Sequence, residues 1–176
     1  KKGVENSFRY KDGKLIVNSN KSGRSIARVI KPSNTTAHGI DVSYLQRDID
    51  WEKVKNSGQV DFAIIRCGFG MNETKQDDSK WKYNSSECER LGIPYGVYLY
   101  SYADTVAKAK SEANHVIRLI KGKKLSYPIY YDMEEKTVLN STNMTRTKAA
   151  QIAQAFFSTL EAAGFRNIQQ CVTFRQ

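Results

Sequence analysis

The sequence has no apolar run approaching the ~18 residues that a membrane-spanning helix needs, and its first residues carry no hydrophobic signal core. No membrane span is therefore expected, and any export signal lies outside these residues. Cysteine is scarce: Cys67, Cys88 and Cys171 are odd in number and match neither a zinc ligand set nor a disulfide framework. Histidine is scarcer still, with only His38 and His115, so no metal site or other cofactor is expected. Acidic residues are outnumbered, 18 against 28 Lys+Arg, for a net charge of +10 over 176 residues.

Such a balance points first to a polyanion, but its placement narrows the choice. Residues 1–36 hold nine Lys/Arg and two acids, a net +7, which leaves only +3 on the other 140 residues. No helix-turn-helix, finger or RNP-type pattern accompanies the charge, so nucleic acid is not an expected partner. Two compositions are joined here. The first, residues 1–36, reads as a basic arm with a hairpin about Asp12-Gly13, followed by a polar linker from Pro32 to Ala37.

The second, residues 37–176, has the grammar of alternating strands and helices. With 40% apolar residues in the whole chain, there is enough to build one core. Short apolar runs at 39–42, 62–67, 95–100 and 127–131 predict buried parallel strands. Helical periodicity predicts a helix over 104–121, capped by Asp104 and stopped by Gly122, and another from Thr145 to Gly164. Shorter helices are expected at 51–57 and 79–91. Repeated βα units imply a parallel sheet, either open and doubly wound or closed as a barrel. The last stretch, Phe165 to Gln176, should be the next strand, yet it lacks a convincing apolar run.

The strongest chemical feature is YPIYYDMEE, residues 127–135. Asp132 and Glu134 are spaced i, i+2 at the end of a strand, so both point to one face, roughly 7 Å apart at Cα. Two carboxylates there repel, and burial raises the pKa of one, leaving a proton donor and an anion. That is the equipment of glycoside hydrolysis; two solvated loop acids are the alternative. Asp41 in HGIDVSYLQ ends the first strand and could bring a third carboxylate to the same face. Asp48 and Asp50 suit the helix-capping role better. Tyr98, Tyr100 and Tyr102 alternate along GVYLYSYA, suiting either sugar stacking or, for Tyr98 above all, a packed interior. Arg66 ends FAIIR, where it could orient a carboxylate or an acetamido carbonyl, or form a structural ion pair. Cys67 reads as an inert buried thiol.

Together HGIDVSYLQ, DFAIIRCGFG, GIPYGVYLYSYA and YPIYYDMEE, in that order, resemble glycoside hydrolase family 25, the Chalaropsis-type lysozymes or N-acetylmuramidases. The resemblance covers roughly residues 38–165. It implies an irregular TIM-like β/α barrel that cleaves the β-1,4 bond between N-acetylmuramic acid and N-acetylglucosamine in peptidoglycan. On it, Glu134 matches the general acid/base, and Asp132 the acid that orients the substrate's 2-acetamido group. Asp41 matches the first-strand carboxylate, with Tyr100 and its neighbours as a sugar-facing wall and Arg66 bordering the groove. It further implies an extracellular or wall-associated protein of bacterial or phage origin, expected to be a monomer. The basic arm would add attraction to anionic wall polymers. GFRNIQQCVTFRQ departs from the family's pattern, so a barrel incomplete at its C-terminus is expected, and an inactive wall-binding remnant is the alternative reading.

Overall fold

In the computed structural model, residues 8–11, 14–17 and 37–172 are described. Strands β1 (Phe8–Lys11) and β2 (Lys14–Val17) pair antiparallel with Lys11 opposite Lys14, the ladder that a turn at Asp12-Gly13 predicts. The turn itself, the rest of the basic segment and nearly all of the expected linker lie outside the described residues.

From Gly39 onward the order is β3 (Gly39–Val42), α1 (Trp51–Asn56), β4 (Phe62–Phe69), α2 (Trp81–Leu91) and β5 (Tyr95–Tyr100). There follow α3 (Val106–Ile120), β6 (Ile129–Met133), the short α4 (Lys136–Leu139), α5 (Arg146–Ala162) and β7 (Ile168–Val172). The sheet runs β3-β4-β5-β6-β7, with every neighbouring pair parallel. Spatial order thus follows sequence order without reversal. A doubly wound sheet reverses at a switch point, whereas a barrel adds each strand beside the last. The fold is of the irregular β/α barrel type. A closed eight-stranded barrel needs about three strands beyond these five.

Side-chain alternation divides the sheet into two unlike faces. Val42, Ala63, Ile65, Cys67, Val97, Leu99, Ile129, Tyr131 and Met133 are all buried. They form one core with Trp51, Trp81, Ala113, Val116, Ile152, Phe156 and Leu160 of the helices. Phe156 of α5 stacks on Tyr131 of β6 with ring centroids 3.8 Å apart. The alternate residues Ile64, Arg66, Tyr98, Tyr100, Tyr130 and Asp132 are only partly buried. They make up the inner, barrel-side face.

Several details differ from expectation, among them β4, which runs on to Phe69 rather than ending at residue 67. Thr105, not Asp104, caps α3: its extended backbone lets Oγ1 accept from Lys108 N–H at 3.3 Å. Asp104 instead pairs with the Lys108 ammonium at 2.8 Å. Strand β6 begins after Pro128, which has no N–H to give to a ladder, and continues through Asp132 to Met133, two residues beyond the 127–131 run. Finally, Ile168–Val172 is a true strand despite its polar sequence. Backbone pairing with β6, extended by Ile129 N–H donating to Asn167 O at 2.9 Å, needs no apolar run. Asp50 takes the capping role foreseen for it, accepting from Lys53 N–H at 3.1 Å.

Gly96 shows how tightly the strands approach. A Cβ there would lie 2.5 Å from Pro128 O and 2.8 Å from Tyr127 Cβ. Gly96→Ala is therefore expected to destabilise the fold by about 1–3 kcal/mol, the usual cost of overpacking. Denaturant unfolding of the variant checks this, and an unchanged midpoint would contradict so close a β5–β6 approach.

Candidate active site

The inner face gathers its polar groups at the carboxyl ends of the strands, where barrel folds carry their chemistry. Register sets which residues meet. Arg66 lies beside Tyr98, and Tyr100 beside Asp132. Asp41 lies beside Ile64, near the end of the edge strand β3. Glu134 follows β6 immediately and is exposed, whereas Asp132 is half-buried.

Electrostatics tie these groups together. The Asp132 carboxyl is pushed up to about 7, first by burial, then by repulsion from Glu134 and from Asp41; the Arg66 guanidinium works in the opposite sense. Asp41 stands three strands away, about 14 Å across a flat sheet. Its charge is nonetheless among the causes that raise the Asp132 pKa, the smallest of the three. The three acids singled out in the sequence therefore share one field. The proton held to near-neutral pH is that of Asp132.

The tyrosines differ in their settings. Tyr98 is partly buried, and that burial raises its hydroxyl pKa, with Asp41 and Asp132 adding to the effect. Tyr100 donates its hydroxyl to Glu135 Oε2 at 3.1 Å. Tyr102 lies beyond the end of β5 and is 42% exposed, open to a ligand. Its ring centroid is 5.3 Å from that of Tyr100 and 6.3 Å from Phe69, to which it stands edge-on. Arg66 realises the ion-pair alternative: its Nε donates to Asp78 Oδ2 at 2.8 Å, with the Asp78 side chain fully buried. The guanidinium also lies over the Tyr44 ring, 4.8 Å from its centroid, and 5.7 Å from that of Phe69. Tyr44, Arg66, Phe69, Tyr102 and Tyr100 thus form a continuous aromatic and cationic track across the ends of β3, β4 and β5.

Several members of this arrangement escape a reading of the sequence. Glu135 caps α4 by accepting from Thr137 N–H at 3.0 Å while it takes the Tyr100 hydroxyl. Two-residue periodicity passes over it, because the strand has ended and the alternation no longer applies. Asp78 accepts from Tyr44 N–H at 3.0 Å and Lys80 N–H at 2.8 Å besides Arg66. It is brought in from a loop, which carries no periodic signal. Glu112 did leave a trace: it falls three residues after Ala109 and four before Val116, within the apolar stripe of α3. His115, equally buried, has Nδ1 3.0 Å from Gly70 O and Nε2 2.8 Å from Asp77 Oδ1. It braces the β4–α2 loop. Burial pushes the Cys67 thiol up to about 12, in keeping with an inert group. Among the described residues no cluster of three or more His, Cys, Asp or Glu could hold a metal ion, and no helix is long and apolar enough to cross a membrane.

The sequence model of glycosyl hydrolases family 25 matches residues 40–173. The chain belongs to this family. The match runs through α5 and β7, beyond residue 165 where the motif resemblance stops, so the polar C-terminal strand is part of the family region. Among family relatives of known structure, the modular autolysin LytC of Streptococcus pneumoniae aligns over 93% of this chain at 32% identity, with a TM-score of 0.69. The alignment covers 37% of that protein. A family 25 glycosyl hydrolase from Bacillus anthracis shares the fold with a TM-score of 0.69 at 20% identity, over 84% of this chain and 65% of its own. In sequence, the uncharacterised protein YegX of Escherichia coli O157:H7 is 29% identical over 119 residues, 65% of this chain and 42% of that protein. Lysozyme M1 of Streptomyces globisporus is 35% identical over 75 residues, 42% of this chain and 24% of the lysozyme. The chain spans less than half the length of the curated relatives it matches.

Proposed function

We propose that this chain is a peptidoglycan hydrolase, an N-acetylmuramidase that cleaves the β-1,4 bond between N-acetylmuramic acid and N-acetylglucosamine. The observation that carries this reading is the carboxylate cluster: Asp132, half-buried with its pKa near 7, under the repulsion of Glu134 and Asp41 beside an exposed tyrosine wall. Membership of family 25 supports it, as does the likeness to LytC, which has been solved in complex with a synthetic peptidoglycan ligand.

Chemically, the roles divide by exposure. Glu134, open at the end of β6, is reachable by substrate and water and serves as general acid to the glycosidic oxygen, then as base to the incoming water. Asp132, set deeper, gives up its proton as the pH rises through about 7, and in that anionic form accepts the N–H of the 2-acetamido group and so turns the amide oxygen toward the anomeric carbon. As positive charge develops there, the anionic field of Asp132 and Asp41 lowers its energy. Tyr100 and Tyr102 offer ring faces to the sugars, and Tyr98 backs them from the sheet. Arg66, pinned by Asp78, moderates the crowding of negative charge.

The test is the release of new reducing ends from purified peptidoglycan, with the chemistry of the new end identified. Reducing N-acetylmuramic acid is the expected product. Tight binding to the insoluble wall without release would overturn the hydrolase reading and favour a wall-binding remnant. The partly open inner face, with Tyr98, Tyr100 and Tyr130 only half-covered, is the observation that favours that second reading.

The same proposal assigns the chain to the cell wall or extracellular space, acting as a monomer, with residues 1–36 drawn to anionic wall polymers by their +7 charge. Deleting residues 1–36 is expected to weaken wall binding at low salt, with the difference fading by about 0.15 M, where the screening length falls to ~8 Å. Cleavage of soluble glycan strands should be unchanged. A sedimentation assay against salt concentration measures both.

A further inference from the structure

Glu112 has no part in the chemistry above, yet it is a fully buried carboxyl on the outer helix α3. A carboxylate so placed is costly unless its oxygens are satisfied. Here they are. Oε1 accepts the backbone N–H of Tyr102 at 2.8 Å. Oε2 accepts the hydroxyls of Ser101 at 2.8 Å and Tyr131 at 2.6 Å. Burial raises its proton affinity, and these three donors together with His115 oppose the rise.

The donors come from two different parts of the groove. Ser101 and Tyr102 follow β5 and carry the exposed wall; Tyr131 belongs to β6 and directly precedes Asp132. The two parts also touch through Ser101 N–H, which donates to Asp132 O at 2.8 Å. Tyr131 is held on its other side by the stack on Phe156. Ala103 N–H donates to Ser101 Oγ at 3.1 Å, closing the turn around the same hydroxyl. One side chain on a helix thus clamps the segment bearing Tyr102 to the strand bearing Asp132.

We propose that Glu112 is a positioning residue, fixing where the Tyr102 ring stands relative to the Asp132 carboxyl so that a sugar ring fits against it. This rests on the reading of the groove as a glycan site. Glu112 touches no substrate itself. It acts by removing freedom from the segment after β5, so that the ordering cost is not charged against binding.

Glu112→Leu fills the space and removes every acceptor, whereas Glu112→Gln keeps an oxygen for Tyr102 N–H and an amide for the two hydroxyls. Both are compared with wild type on a peptidoglycan-derived tetrasaccharide, well below the melting temperature of each. Glu112→Leu is expected to raise KM about tenfold, the factor that matches one lost hydrogen bond, with kcat altered by less than about threefold. Glu112→Gln should restore wild-type KM. In a Tyr102→Ala background, Glu112→Leu should add nothing further, because the ring it positions is gone. A folded Glu112→Leu with wild-type KM, or an equal rise in both backgrounds, overturns the proposal. Should Glu112→Leu not fold, Tyr131→Phe keeps the stack on Phe156, removes one clamp bond and faces the same criteria. Hydrogen exchange at the Tyr102 amide separates the two layers of argument. Faster exchange in Glu112→Leu supports the clamp even if the wild-type chain cleaves no glycan, which would sink the groove reading alone; unchanged exchange overturns the clamp.

Discussion

Glu134→Gln is expected to lower the rate of reducing-end release by about 10²–10⁴-fold, the usual contribution of a general acid or base. Gln preserves the size and hydrogen-bonding reach of the side chain but can neither give nor take a proton in the reaction. Because Glu134 is exposed beyond the last residue of β6, the substitution removes no packing. Substrate affinity and unfolding midpoint should both stay near wild type, so the loss falls on kcat. The change also relieves Asp132 of the repulsion that helps hold its pKa near 7, so the Asp132 titration should move downward. Rates on a uniform glycan substrate, with the Asp132 titration followed by NMR, check both parts. Equal rates for the two proteins would remove Glu134 from the mechanism.

The second large effect concerns Asp132 and has opposite signs for activity and stability. Its pKa rises from an ordinary aspartate's 3.8 to about 7 on folding. Between those values the folded chain keeps a proton that the unfolded chain has lost. Stability therefore falls as pH rises from about 4 through 7, and above 7 the full penalty of a crowded, half-buried anion is present. Asn bears no charge at any pH and escapes it. Asp132→Asn is expected to match wild-type stability at pH 4 and exceed it by on the order of 1–3 kcal/mol at pH 8, a range discounted for the exposed part of the group. Cleavage should meanwhile fall by orders of magnitude, the trade between stability and function common at strained sites. Denaturant melts at the two pH values decide it. A constant difference between variant and wild type would mean that the carboxylates do not crowd Asp132.

Much of this site is legible in the sequence because strands and helices write their periods into it. The i, i+2 spacing of Asp132 and Glu134 follows directly from two-residue alternation, and Tyr98 and Tyr100 fall on the same face by the same rule. The helix stripes led to α3 and α5 with errors of one or two residues, since caps depend on backbone angles that composition does not reveal. Asp104 and Thr105 are equally good capping residue types, and only the extended conformation at Thr105 chose between them. Strand β7 was obscured for another reason. It is joined to β6 by a ladder of backbone bonds, and Ile168 packs against the core, so a single apolar contact and the ladder suffice without an apolar run.

By itself the sequence determined the alternation of strands and helices, the strand ends that bear Asp41, Tyr100 and Asp132, and the family to which those blocks point. These are local properties, set by the few residues on either side. Only the tertiary structure decided that Asp41 acts on Asp132 across three strands, that Arg66 is committed to Asp78, and that Glu112 grips the segment after β5. Each of these joins residues far apart in the chain, and charge repulsion, ion pairing and desolvation depend on distance and burial, which no spacing along the chain specifies.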